Sequence, residues 1–109
     1  FTGASLTKTT GDNPVLVGFG ATCAQSTLSN AIVYNIDVDG TLEMGTDGIV
    51  FRAAVANDNT DCSFVMMTSD LTAASHTFKL QWRTSASGTA TTNCGSGEPC
   101  NFWVHEVTD

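Results

Sequence analysis

Positive charge is what this sequence has least of. Among 109 residues only Lys8, Arg52, Lys79 and Arg83 are basic, against eleven acidic residues, for a net charge of -7. No basic patch is left to neutralise phosphates or anionic headgroups, so neither nucleic acid nor a membrane surface is an expected partner. Charged residues of both signs make up only 14%, and the surface is expected to be neutral and rich in Thr, Ser, Asn and Gly. No run approaches the roughly 20 apolar residues of a membrane span. The nucleophile elbow G-x-S-x-G is missing, and the only histidines, His76 and His105, fall at strand ends where packing accounts for them. The aspartates sit in turns, where they bond their own backbone, so a carboxylate pair for glycoside hydrolysis is not expected either. No enzyme and no cofactor are expected.

No metal site is expected, on similar grounds. No C-x-x-C occurs, and the histidines are not spaced from the cysteines as zinc ligands are. Asp37-x-Asp39-Gly40 lacks the third acidic ligand and the distal Glu of a calcium loop. Asn57, Asp58, Asn59 and Asp61 are denser in oxygen ligands, but a polar loop is the expected outcome there as well.

The four cysteines allow three pairings. Cys94 and Cys100 enclose Gly95-Ser96-Gly97-Glu98-Pro99, a turn-forming run able to bring two Cα atoms to roughly 5.5–6 Å. Cys23 and Cys62 are then expected to pair by elimination, joining two strand ends. Disulfides point to an oxidising compartment, extracellular or on a particle surface. The chain opens at Phe1 with no charged segment leading into an apolar run, so any targeting segment is expected to have been removed or to lie outside it.

What the sequence does have is alternation. In His76 to Thr84, Phe78, Leu80 and Trp82 alternate with Thr77, Lys79, Gln81 and Arg83, the period of a strand with one buried face. Val15, Val17, Phe19, Ala21 and Cys23 form another such face, with Gly18 and Gly20 leaving a flat strip on the reverse that can admit a neighbour's aromatic ring or mark a bulge or close backbone approach. Ile32, Tyr34, Ile36 and Val38 form a third. Asp39-Gly40 is a hairpin signal, and Asp47-Gly48 repeats it, predicting a meander through Thr41–Gly45 and Ile49–Ala56. Cys62–Thr68 carries Phe64, Val65, Met66 and Met67 without a polar break, which suits a strand covered on both faces or set at a subunit contact. Ser69–Ser75 is the one segment that reads as a helical turn, and Thr89–Asn93 and Asn101–Val107 complete the strands.

Residues 1–109 therefore read as a single all-β domain, an antiparallel β-sandwich of eight or nine short strands, jelly-roll-like, with an immunoglobulin-like order left open. The stretch Ser75 to Arg83, with Gly88 to Thr91 and Phe102 to Val107, resembles the jelly-roll-like β-sandwich surface domains of phage and virion structural proteins, the capsid-decoration and tail-fibre type. Tyr34 to Thr41 fits the same pattern more loosely. The resemblance implies a non-enzymatic module on a virion surface, with other virion or capsid proteins as partners and a homo-oligomer, a trimer by analogy, as its state. Phe64, Met66, Met67 and Trp103 are the expected interface, because a sandwich this small has trouble burying apolar residues on both faces of its strands. A secreted carbohydrate-binding module is the alternative, with Tyr34 and Trp103 stacking on a cell-surface glycan and Asn57, Asp58, Asn59 and Asp61 bonding its hydroxyls.

Overall fold

The computed structural model describes residues 5–27, 30–52, 55–93 and 100–108. The strands among them are β1 (Ser5–Thr10), β2 (Val15–Gln25), β3 (Ile32–Val38), β4 (Thr41–Leu42), β5 (Ile49–Phe51), β6 (Thr60–Met67), β7 (Ala74–Thr84), β8 (Ala90–Asn93) and β9 (Asn101–Glu106). All pairings are antiparallel, in two sheets. One sheet runs β1-β7-β3, with β5 and β4 side by side along the far edge of β3. The other sets β2 between β6 on one side and β9 followed by β8 on the other. The expected β-sandwich is the fold, and the alternating segment at 76–84 is a central strand of its sheet.

The core lies where the alternation placed it. Val15, Val17, Phe19, Ala21 and Cys23 of β2 face Ile32, Tyr34, Ile36 and Val38 of β3, with Phe78 and Leu80 of β7 beside them, all buried. Tyr34 is its hub, its ring 5.5 Å from Phe19, 5.7 Å from Phe51, 6.1 Å from Phe64 and 6.3 Å from Trp82. The phenol bonds the Thr92 hydroxyl at 2.6 Å, so the one polar atom of this hub is satisfied, and burial pushes its pKa up. Cys23 and Cys62 are joined, Cα to Cα 6.0 Å, and both are fully buried. Of the other pair, Cys94 lies outside the described residues.

Two local expectations are corrected. The predicted meander does not form, because β4 and β5 each pair with β3 and not with each other. Buried Asn35 explains this: its side chain accepts the Met44 and Ile36 amides and donates to the Gly45 carbonyl, curling residues 43–48 back over β3. The Asp39-Gly40 turn itself has positive φ at both residues, 52° and 93°, as its sequence requires. Nor is there a helical turn after Thr68. The Leu71 amide bonds the Asn13 carbonyl, the Ala73 amide bonds Asp12, and the Thr72 carbonyl accepts from Thr10 and His76. Those bonds hold the connector to the 11–14 turn and β7, and they take the Leu71 and Ala73 amides and the Thr72 carbonyl away from any helical ladder.

Candidate functional site

The backbone register of β6, β2 and β9 builds one continuous outer face. Directly opposed residues of antiparallel neighbours share a face, so Met67, Leu16 and His105 form a row, followed by Val65, Gly18 and Trp103, then Ser63, Gly20 and Asn101. Asp61, Thr22 and Asn93 of β8 extend it. A Cβ on Gly18 would overlap the Trp103 indole, which therefore lies flat on the bare backbone of β2. The glycine strip thus receives an aromatic ring, as its sequence allowed. Trp103 stays 40% exposed, Val65 58% and Met67 55%. The face is apolar at the Leu16 end and amide- and hydroxyl-lined at the Thr22 end, with Asp61 its one acidic residue.

The four residues expected as an interface divide between two surfaces. Met67 and Trp103 belong to this outer face, while Phe64 and Met66 point inward and pack half-buried against the core. Their strand is covered on one side only, and period two separates them. Among the sugar-binding candidates, Tyr34 is corrected: it is fully buried in the middle of β3 and is closed to any ligand. Asn57 and Asp58 form the turn before β6, where Asn57 has φ 61° and its amide bonds the Gln25 carbonyl. Asn59 accepts a bond from Asn93 at 3.2 Å, and Asp61 accepts the Ser63 hydroxyl at 2.8 Å. These two reach the polar end of the face; Asn57 and Asp58 do not line it. Among the described residues no group of three or more His, Cys, Asp or Glu could hold a metal ion. Leu16, Val65, Asn93 and Asn101 were missed from the sequence, since only the strand register brings them onto the face that carries Trp103.

The outer face of the opposite sheet has a cavity of about 140 Å³ lined by Val33, Asn35, Leu42, Gln81 and Arg83 among others. It falls below the roughly 300 Å³ at which small-molecule sites begin, and Arg83 partly closes it by donating to the Thr46 carbonyl at 3.0 Å.

His76 is engaged at both ring nitrogens. Nδ1 lies 2.6 Å from the Asp39 carboxylate and Nε2 lies 2.7 Å from the Thr72 carbonyl. Both partners are acceptors, so the doubly protonated ring is the form that satisfies both contacts. The Thr72 carbonyl and then Asp39 hold its pKa up, while the Thr77 amide and then His76 hold the Asp39 carboxyl down. With Nε2 occupied by a main-chain carbonyl, this pair fastens the β3–β4 turn to the connector before β7 and offers no base to a substrate. Glu106 plays a similar part at the start of β2, accepting from the Asn13 side chain at 2.8 Å and the Gly11 amide at 2.7 Å, which lowers its pKa.

No helix among the described residues is long and apolar enough to cross a membrane, and the Cys23–Cys62 disulfide fits an oxidising, extracellular setting. No protein family, curated protein or solved structure matches the chain.

Proposed function

We propose that this domain is a non-catalytic structural module that works through protein contacts made by the outer face of the β6-β2-β9 sheet. The observation that carries the proposal is the flat, uncharged patch of Leu16, Val65, Met67 and Trp103, three of them substantially exposed, on a chain of net charge -7. Contiguous exposed apolar surface of this kind marks interaction sites, and an aromatic fixed by its backing is a good anchor for one. Display on a virion is the specific form of this proposal, and it rests on the sequence resemblance alone. A photo-crosslinking residue at position 105 tests the face, with one at Lys79, on the opposite sheet's outer face, as control. The expected result is an adduct with another polypeptide from 105 and none from 79. Equal labelling, or no polypeptide adduct, would refute the proposal.

A second reading has its own observation. The Trp103 ring lies on the same face as Asn101 and Ser63 in the next row, with Asp61 and Asn93 one row farther along, and sugars are held by an aromatic platform with hydrogen-bonding groups along the same surface. A glycan array decides it: binding lost on Trp103→Ala would support an extracellular carbohydrate-binding module, and a silent array would remove that reading.

A further inference from the structure

We infer that the free edge of β6 is an interface for a second copy of this chain, which pairs antiparallel with it about a two-fold axis at Phe64. The inference rests on the contact-module proposal only in taking a protein as the occupant; it uses the backbone edge of β6, which borders that face.

The hydrogen-bond parity of the sheet establishes what the edge offers. The Thr68 amide bonds the Val15 carbonyl at 2.9 Å, in register with the β2–β6 pairing, so Met66, Phe64 and Cys62 spend their backbone groups on β2. The Val107 amide bonds the Pro14 carbonyl, which assigns the even-numbered residues of β2 to β9 and agrees with this parity. The amides and carbonyls of Asp61, Ser63, Val65 and Met67 therefore point away from β2, toward an edge where no described strand pairs.

Edge strands are ordinarily protected by lysine, proline, a bulge or brevity. Residues 60–67 contain no Lys, Arg, Pro or Gly, and Asp61 is their one charge. Among the other described edges, β1 carries Lys8, β4 and β5 are two and three residues long, and β8 is four. β9, six residues with Glu106 as its one charge, is comparably open, and β6 at eight residues is the longer of the two.

Any extended strand would satisfy this backbone, so the case for a second copy lies in how the chain's own side chains meet about a two-fold axis. Centred on Phe64, the two-fold pairs Asp61 with Met67 and Ser63 with Val65 of the partner copy, so each outward backbone group from 61 to 67 meets a donor or acceptor. The two Asp61 carboxylates then stand about 20 Å apart at 3.4 Å per residue, beyond the screening length of about 8 Å at physiological salt. The two Phe64 rings, half-buried at an open margin of the core, come side by side and close it. A two-fold contact of this kind ends with the dimer.

Light scattering on the intact chain, wild type beside Ser63→Pro and Trp103→Ala, tests the inference. Ser63→Pro removes an amide that faces the free edge and makes no bond to β2. The expected result is a wild-type mass twice 11.4 kDa, a dissociation constant weakened on the order of tenfold or more by Ser63→Pro, and an unchanged dimer for Trp103→Ala. Hydrogen exchange on the wild type gives an answer that does not depend on the variant folding, since dilution to monomer should lose protection at the Ser63 and Val65 amides and keep it at Phe64. A wild-type monomer at high concentration, a dimer indifferent to Ser63→Pro, or protection at Ser63 that ignores dilution would overturn the inference. Loss of the position-105 adduct on Trp103→Ala with the dimer intact would bear on the contact face alone.

Discussion

Replacing Cys23 and Cys62 together by alanine should cost this domain a large share of its stability, through the unfolded chain more than through the folded one. The bond links strands that are already paired from Leu16 to Cys23, with Cys62 opposite Ala21 and Cys23 opposite Thr60. The native sheet thus needs little from it. The unfolded chain loses much more, because the sequence separation is 39, for which the loop-closure expression gives about 3.9 kcal/mol at 25 °C. Two small voids at fully buried positions add about 1–2 kcal/mol. Urea unfolding should therefore show a loss of about 5 kcal/mol, together with a steeper dependence on urea as the uncrosslinked chain expands and exposes more surface. A loss below about 1.5 kcal/mol with an unchanged slope would mean that the denatured chain keeps β2 and β6 together without the bond, and the reasoning would fail.

Tyr34→Phe removes the 2.6 Å bond to Thr92 and should cost about 1–1.5 kcal/mol, whereas Tyr34→Ala opens the aromatic hub and should cost about 3–5 kcal/mol; thermal melts of both separate the two terms. Gly18→Ala should displace the Trp103 ring, shifting its fluorescence to the red and lowering stability by about 1–3 kcal/mol. Unchanged emission would mean that the indole does not lie on β2. For the His76–Asp39 pair the folded His76 pKa is raised above 6.5 and the folded Asp39 pKa is lowered below 3.8. Its stabilisation is complete between those values, is lost as pH falls through the folded Asp39 pKa, and is lost as pH rises through the folded His76 pKa. Urea midpoints should drop between about pH 5 and about pH 9 in the wild type, and the drop should shrink in His76→Gln.

The strands were legible because burial on one face imposes period two, which β7 shows from His76 onward and β2 everywhere but at Gly18, whereas β3 is buried on both faces from Ile32 through Ile36. The path between strands was less legible. Asp47-Gly48 carries the same turn signal as Asp39-Gly40, yet the side chain of Asn35, several residues upstream, decides where that loop goes. The candidate face was half legible. Gly18 and Gly20 announced a bare strip, but its occupant comes from β9, far along the chain, and no local pattern specifies a register between such distant strands. Tyr34 misled for the opposite reason: an aromatic with a hydroxyl suits a wet surface and a satisfied core equally well, and Thr92, which decides between them, arrives only with the fold.

The position of β2 also sets when the protein can become itself. Val15 pairs with Glu106, Leu16 with Met67, and Cys23 with both Thr60 and Thr92, so every described strand that pairs with β2 lies at Thr60 or later and is synthesised well after it. On a ribosome one edge of β2 must wait until β6 emerges and the other until β9 does, and its apolar face waits for the opposite sheet, which is incomplete until β7 joins β3. Folding is then dominated by distant contacts and completes late. The interval exposes Val15, Val17 and Phe19 to whatever is nearby, so chaperone attendance or slow aggregation during synthesis should limit the yield of this small domain more than its final stability does.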